Sequence, residues 1–334
     1  MRLDKWSAVI DGARWAPSAY NAQPWRFRLD ENVLEIISRP ERWRPVVDPR
    51  NRETLISVGS LIHSLRHTLG SKAEEELLIS HPYDDKIARF SLPDSEEFDT
   101  GGSVRAAELE KLRTCRREYR HEPLSSGALE RLKIVGKERI AFYPKGSEEN
   151  RALVAGSLEA AVAHANSREI YTELSRFVAS PSRRERRSWG VDAPVGESQR
   201  LYPHSVSRRP RTDRRAYRGA TITATRDLLS QAPLLLTLEG DSRDPRDLLQ
   251  VGILYQQLRL EAAALGLATQ PVSVLPQMVE AGKIDPPGAF ERAQMVLRIG
   301  VPVTWKKAPR GMREPTETLL VLQDDESNKK RNAA

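Results

Sequence analysis

Residues 17–25 read Pro17-Ser18-Ala19-Tyr20-Asn21-Ala22-Gln23-Pro24-Trp25. Trp6, Val9, Ile10 and Ala13 recur at helical spacing before the stretch, and Arg26 to Leu29 reads as the start of a strand after it. The stretch is therefore a helix-to-strand crossing. Pro17 and Pro24 fix φ and suppress helix around Ser18, Asn21 and Gln23. Asn and Gln each offer an acceptor and two donors, and Ser a rotatable hydroxyl, a set that matches the mixed rim of a planar heterocycle such as a flavin or a pyrimidine. The same residues also support a purely structural reading, with Ser18 capping a turn, Asn21 making an Asx turn, and Trp15 and Trp25 in the core.

A chain of 334 residues with 39% hydrophobic content can bury a substantial core, as two domains or as one large intertwined one. One cysteine, Cys115, excludes an internal disulfide framework and a Cys-rich metal site, and it fits a reducing cytoplasm. No N-terminal apolar run of a secretory signal is present, nor any stretch near the roughly 20 apolar residues that span a bilayer. The expectation is a cytoplasmic protein with no membrane partner.

The formal net charge of +7 is concentrated. Between Arg183 and Arg218 eleven arginines face only Glu185, Asp192, Glu197 and Asp213, which accounts for the whole excess. Nucleic-acid binding through this segment is a weak reading, because only Trp189, Tyr202 and Tyr217 interleave with the arginines and no recognition motif is present.

Working outward, Trp25–Leu29 and Val33–Ile37 form a predicted hairpin across Asp30-Glu31-Asn32. Leu55, Val58, Ile62, Leu65 and Leu69 predict an amphipathic helix over Thr54–Leu69, ended by Gly70. His63 and His67 are four apart on it, but with no acid between them and no third ligand nominated, no metal is assigned. Pro93 to Ser103 reads as a polar linker. A helix over Arg105–Arg113 then runs into Arg113-Thr114-Cys115-Arg116-Arg117-Glu118-Tyr119, where clustered guanidiniums make either an anion clamp or a solvated basic face. Helices follow at Leu129–Val135, Arg151–Ala165 and Ile170–Val178, and then the poorly periodic arginine-rich segment, with Ala224–Leu229 as the only helical run behind it. Pro233 to Leu238 reads as a buried strand, and Val251, Leu254, Leu258, Ala262 and Leu265 as a long helix to Gly266. Gly266 to Pro271 is then a turn into an extended Val272–Leu275, and Met295–Ile299 is a further strand.

The pattern Pro17-Ser18-x-x-Asn21-x-Gln23-Pro24-Trp25 resembles the signature of the nitroreductase-like FMN-dependent superfamily. Arg113 through Tyr119 is similar to that family's Arg-Ser-x-Arg-x-Phe motif, with either Thr114 or Cys115 at the small hydroxyl position. The helix before Gly266, the strand ending Leu297-Arg298-Ile299-Gly300 and the later Arg313-Glu314-Pro315 match, in order, the closing half of such chains. The order of the first two motifs is reversed relative to ordinary members, which resembles the double-length, Acg-type branch. What this implies is an α+β nitroreductase-like fold of two related halves, mainly antiparallel sheets flanked by helices, forming one intramolecular pseudo-dimer. Residues 1–100 would be an incomplete first half, 101–323 a second half with a lid-like insertion at about 181–220, and 324–334 a disordered tail.

The resemblance implies FMN as cofactor, bound by Pro17, Ser18, Asn21, Gln23, Arg113, Cys115, Arg116, Arg117, Gln270, Arg310 and Arg313. Thr269, Gln270 and Pro271 would surround the reactive N5, and no side chain is nominated as catalytic. The implied activity is hydride transfer through flavin N5 to or from a small organic substrate, with NAD(P)H as the candidate electron donor. One complete flavin site is expected, in a monomeric pseudo-dimer or a homodimer. The alternative is a non-catalytic protein that sequesters FMN beneath the arginine-rich segment.

Overall fold

The helix anticipated from Thr54 starts two residues earlier, and Asp48 is the reason. Its carboxylate accepts from the backbone N–H groups of Glu53 and Thr54 (both 3.0 Å) and from the Thr54 hydroxyl (3.2 Å), which satisfies donors that a first helical turn leaves open. Helix α2 (Arg52–Leu69) then runs to Gly70, which ends it at φ 75°. It is buried on almost every side, Leu55, Val58, Leu61, Ile62 and Leu65 at 1% exposure or less, as expected of a helix lodged between layers rather than lying on a surface. The computed structural model describes residues 2–70, 73–92, 102–179, 188–192, 214–304 and 312–322.

Two sheets flank this helix and its partner. The first contains β1 (Trp25–Asp30), β2 (Val33–Ser38), β3 (Glu74–Leu77) and β4 (Lys86–Ser91) in the order β1-β2-β4-β3, every neighbour antiparallel. The predicted hairpin is β1 and β2, joined by Glu31-Asn32 with Glu31 at φ 48°. The second sheet contains β5 (Ile140–Pro144), β8 (Leu234–Glu239), β9 (Ala268–Pro271) and β10 (Ala293–Gly300) in the order β5-β8-β10-β9, again antiparallel throughout. Each sheet therefore has its second strand followed in the chain by a long helix and then by the two remaining strands in reversed spatial order. That helix is α2 in the first case and Pro245–Ala264 in the second. The first sheet gains a fifth strand, β11 (Leu320–Leu322), which pairs parallel to β1 with Phe27 opposite Leu320.

The two long helices make the most extensive helix–helix contact in the chain, and glycine sets how close they come. A Cβ on Gly59 would lie 2.1 Å from the Leu249 carbonyl oxygen, and one on Gly252 2.0 Å from that of Ile56. Each glycine thus faces the carbonyl three residues before the other. Only residues without a side chain fit. Ser60 Oγ donates to the Gly252 carbonyl (3.0 Å) and Gln256 Nε2 to Ser64 Oγ (3.1 Å), so the polar atoms along the seam are also paired.

The sheets differ most between their first and second strands. Two residues link β1 to β2, whereas β5 and β8 are separated by α5 (Glu148–Asn166), α6 (Arg168–Ser175), the short parallel pair β6 (Val178–Ala179) and β7 (Val191–Asp192), and α7 (Arg214–Gln231). Helix α7 corrects the expected Ala224–Leu229: it starts ten residues earlier, inside the arginine-rich segment that ends at Arg218. The other α-helices among the described residues are α1 (Arg2–Ala13), α3 (Gly102–Lys111), α4 (Ser126–Gly136), α8 (Pro245–Ala264), α9 (Val274–Glu280) and α10 (Thr316–Leu319). A second correction concerns Gly266–Pro271, expected as a turn before an extended Val272–Leu275. Residues 268–271 are themselves strand β9, and helix α9 begins at Val274. Pairing with β10 makes the strand, against a local sequence with little strand character. The linker expected at Pro93–Ser103 lies outside the described residues up to residue 101, as do the tail expected at 324–334 and most of 181–220. No helix among the described residues is long and apolar enough to cross a membrane.

Candidate functional site

The bend between α1 and β1 is strained. Tyr20, Asn21 and Gln23 all have φ near +50° without being glycine, a cost of order 1 kcal/mol or more each that surrounding bonds must offset. Those bonds come from two remote segments. Asn21 Nδ2 donates to the carbonyls of Gly190 and Met312, both at 2.9 Å, and Asn21 Oδ1 accepts from Arg313 Nη1 at 2.7 Å. Gln23, fully buried, donates from Nε2 to the Ser188 carbonyl (2.8 Å) and accepts at Oε1 from the Glu314 backbone N–H (2.9 Å). The Gly190 N–H returns to the Asn21 carbonyl (2.9 Å). Asn21 and Gln23, expected to face a heterocycle, thus spend their amides on tying residues 188–190 and 312–314 to the bend; for Asn21 this is a structural role, but through remote segments rather than the local Asx turn the sequence offered as the alternative.

Arg313 and Glu314 complete this knot. Arg313 Nη2 donates to the carbonyls of Trp15 (3.2 Å) and Ala16 (3.3 Å), while Glu314 accepts from Arg39 and, at 2.6 Å, from Arg42. Trp189 lies on the Arg42 guanidinium, 3.6 Å from ring centroid to Cζ. Burial pushes Arg42 down to about 10, helped by neighbouring Arg39 and opposed by Glu314. Arg313 is pushed further, to about 9, by burial and then by Arg259, Arg113 and Arg14. Arg14, Arg113 and Arg313 all stand over the Trp15 ring, 5.4, 5.8 and 5.6 Å from its centroid. This concentration of cations suits an anion. Arg310 lies outside the described residues.

Pro17 and Ser18, by contrast, border a cavity of about 220 Å³. Ser18 Oγ is held by the Gln23 N–H (3.0 Å), and the next N–H, that of Ala19, donates to Ser57 Oγ on α2 (3.2 Å). Across the cavity stand Thr114 and Arg116, and then the end of β9 and start of α9, from Gln270 to Val274. Helix α7 adds Thr225 and Leu228. Of the expected site residues, then, Pro17, Ser18, Arg116, Gln270 and Pro271 come together here. Arg113, Cys115, Arg117 and Thr269 line a second, larger cavity that shares Arg116 with the first. The hydroxyl facing the first cavity is that of Thr114, and Cys115 faces the second.

One buried arginine sets this register. Arg298, fully buried, donates from Nε to Gln270 Oε1 (2.7 Å) and from Nη2 to the carbonyls of Arg117 (2.6 Å) and Cys115 (3.3 Å), with its guanidinium 4.0 Å from the Tyr119 ring centroid. The Tyr119 hydroxyl donates to the Cys115 carbonyl (3.0 Å), and the Cys115 N–H to the Thr269 carbonyl (3.3 Å). Burial raises the Tyr119 phenol and lowers Arg298. The arginine-rich loop is thereby clamped to β9.

Several lining residues carry no signal in the sequence. Arg52, 1% exposed, donates from Nη1 to the Gln294 carbonyl, but its Nε and Nη2 have no hydrogen-bond partner. Gln294 Oε1 and the Tyr255 hydroxyl, both buried on the same cavity, are also unpartnered. Three orphaned buried polar groups around one cavity require an explanation, and a polar ligand supplies donors and acceptors to all three. Glu53, the nearest acid to Arg52, is already engaged by Arg44 (3.1 Å) and Gln277 (2.8 Å).

Comparison with known proteins gives three findings. The model of the Nitroreductase family matches residues 109–300, more than half of the chain. The Mycobacterium tuberculosis H37Rv protein named "Putative NAD(P)H nitroreductase Rv3131" is 27% identical over 303 residues, which cover 87% of this chain and 83% of that protein. Among solved structures, the FMN-dependent nitroreductase NfnB from Mycobacterium smegmatis in complex with NADPH aligns with TM-score 0.35 and 15% identity over 59% of this chain and 86% of that one. A nitroreductase with bound FMN from Desulfitobacterium hafniense DCB-2 aligns with TM-score 0.35 and 14% identity, over 60% and 89% respectively.

Proposed function

Because this chain belongs to the Nitroreductase family, we propose that it is an FMN-dependent oxidoreductase, with its flavin ring seated in the cavity between Ser18, Arg116 and β9. The observation that carries this reading is the meeting, at one cavity with orphaned polar atoms, of a bend from the first sheet's unit and an arginine loop and strand from the second's. The matched four-strand orders and the facing glycines support two related halves in one chain, an intramolecular pseudo-dimer of the double-length, Acg-type kind. In this reading residues 1–100 form the first half and 101–323 the second, and the protein works in the cytoplasm as a monomer or a homodimer.

FMN, when bound, supplies a two-electron carrier that takes hydride from NAD(P)H and gives it to a small organic substrate. The chain's part is to hold and polarise it. The Ser18 and Thr114 hydroxyls and Gln294 Oε1 offer donors and acceptors to a pyrimidine edge. Arg116 and Arg52 bring positive charge to the same cavity, which favours an anionic reduced ring. Arg113 and Arg313, beside Trp15, provide charge for the phosphate, whose negative charge would offset the burial, and then the neighbouring arginines, that push Arg313 down. Pro271 to Val274 form a stiff wall, since Pro271 sits in β9 and Val272 N–H is held by the Val296 carbonyl (2.8 Å).

The test is the absorbance spectrum of the purified protein with anaerobic NADPH and NADH titrations. A yellow protein bleached by one of the two is the expected result. A protein that stays colourless after FMN is added refutes the assignment.

A further inference from the structure

Four charges are buried side by side where the chain enters α2. Arg44, Asp48 and Arg52 are each 1% exposed and Glu53 8%. Asp48 accepts from the N–H groups of Glu53 and Thr54 and lies 3.5 Å from Arg44. Glu53 accepts at Oε2 from Arg44 Nη1 (3.1 Å) and at Oε1 from Gln277 Nε2 (2.8 Å), and the same Oε1 is 3.7 Å from Arg52 Nη2. That last separation is too long for a hydrogen bond but close for two opposite charges. Glu53 therefore offsets the charge of Arg52 without occupying its Nε and Nη2 donors, which keep no hydrogen-bond partner.

Two cations and two anions leave the cluster neutral, and of the four only Arg52 and Glu53 border the first cavity. Desolvation takes back most of what buried ion pairs gain, so stability is a weak reason for such a cluster. The start of α2, moreover, is already capped by Asp48. What Glu53 changes is the field at the cavity. Charges in a buried site are poorly screened, so the cavity meets a compensated arginine while Glu53 is ionised and a full positive charge once it is replaced. Gln277, on α9, also borders the cavity and fixes the carboxylate from the second sheet's unit.

We infer that Glu53 is a positioning residue that acts through Arg52 to hold down the reduction potential of the flavin. The inference rests on the flavin reading of this cavity. An arginine at the ring favours the anionic reduced form and so raises the potential, and a carboxylate beside that arginine cancels part of the rise. The lower potential makes the reduced cofactor a stronger hydride donor.

The test is the midpoint potential of the FMN-loaded protein, freed of unbound FMN and equilibrated with a reference dye. Wild type is compared with Glu53→Gln, Glu53→Asp, Arg52→Met and the double variant Arg52→Met/Glu53→Gln. Glu53→Gln should shift the equilibrium about tenfold towards reduced flavin, which is about 30 mV upward for a two-electron couple. Glu53→Asp keeps the charge and should stay near the wild-type value, while Arg52→Met should fall by a similar factor. The double variant removes the pair together and should return to within about threefold of wild type, an outcome that structural damage at either position would not produce. Should Glu53→Gln fail to fold with Arg52 left uncompensated, the double variant against Arg52→Met reads the same charge, because replacing a buried pair as a unit leaves no charge unpaired. A Glu53→Gln potential equal to wild type overturns the inference, as does a Glu53→Asp potential that rises with it or a double variant no higher than Arg52→Met; each leaves the flavin reading standing. A wild-type protein that takes up no FMN refutes the flavin reading, and the inference falls with it.

Discussion

The N-terminal ends of the two long helices occupy equivalent places and have opposite contents. With the facing glycines taken as counterparts, Glu53 on α2 corresponds to Arg246 on α8. At Glu53 the chain leaves a cavity, bordered by the far end of β9 and by Arg52, whose Nε and Nη2 lack a hydrogen-bond partner and whose Nη2 lies 3.7 Å from the Glu53 carboxylate. At Arg246 the side chain reaches across instead, donating from Nε to the Ile79 carbonyl (3.0 Å) and from Nη2 to that of Leu77 (3.3 Å), the residue that ends β3 as Pro271 ends β9. One end keeps polar groups unsatisfied and ready for a ligand, and the other satisfies them internally. On the proposed flavin reading, function sits at one of the two similarly ordered frames, and the corresponding end of the other is closed by its own bonds.

The largest expected effect comes from attacking what makes the halves equivalent. Gly252→Ala places a methyl 2.0 Å from the Ile56 carbonyl oxygen, and neither backbone can retreat without parting the helices. Overpacking of this severity costs about 3 kcal/mol. The urea midpoint of the variant should fall accordingly, and Gly59→Ala should match it, since the contact is reciprocal. Unequal losses would mean the two helices are not equivalent partners.

Next come the two arginines that distinguish the ends. Arg52→Met removes a charged donor from the cavity and should weaken FMN by about 1.5 to 3 kcal/mol, tenfold or more, as read by quenching of flavin fluorescence. Its folding stability should change less than its flavin affinity, because the deleted charge is only partly compensated, by the Gln294 carbonyl and by Glu53 at 3.7 Å. Arg246→Met should do the opposite, losing about 1 kcal/mol of stability with FMN affinity intact. Flavin loss in both variants would erase the distinction.

Asn21→Ala separates the bend's structural task from its cavity-facing one. The substitution strands two carbonyls and an arginine of the knot, and the expected cost is about 2 kcal/mol of stability. Ser18→Ala, at the cavity itself, should lower flavin affinity at a smaller cost of about 1 kcal/mol in stability, from the Gln23 N–H that loses its acceptor. A stable Asn21→Ala protein without flavin would restore the amide to the cofactor.

How much of this could be read from the sequence depended on where the partners lay. The β1–β2 hairpin and α2 were legible because short-range period and turn chemistry decide them. Pro17, Ser18 and Arg116 were singled out through motifs, and they line one cavity. Asn21 and Gln23 have the right chemistry for a heterocycle, but their partners are 165 to 292 residues away, and a motif does not show which segments return to it. Arg52 looked like an ordinary basic residue at a helix start; only the folding of β10 beside it makes it a buried, half-satisfied donor. Strand β9 was missed because Ala-Thr-Gln-Pro has no alternation, and its extended form is imposed by β10.

The smallest effect tests the halves at their other end. His63 on α2 corresponds to Gln256 on α8, and the two positions differ in whether they titrate. Burial, then His67 and Arg66, holds His63 down to about 4 from its ordinary 6.5. The folded state therefore keeps the imidazole neutral, while the unfolded chain takes up a proton once the pH falls below about 6.5. The sign follows: stability is fully present above that pH and is lost as the pH falls towards 4, by about 1 kcal/mol at about pH 5.5. His63→Gln makes the two halves alike at this position and should flatten that acid limb between about pH 6.5 and 4 while leaving the neutral-pH midpoint within a few tenths of a kcal/mol. An unchanged acid limb in urea titrations would show that His63 is not the group that makes α2 more acid-sensitive than its counterpart.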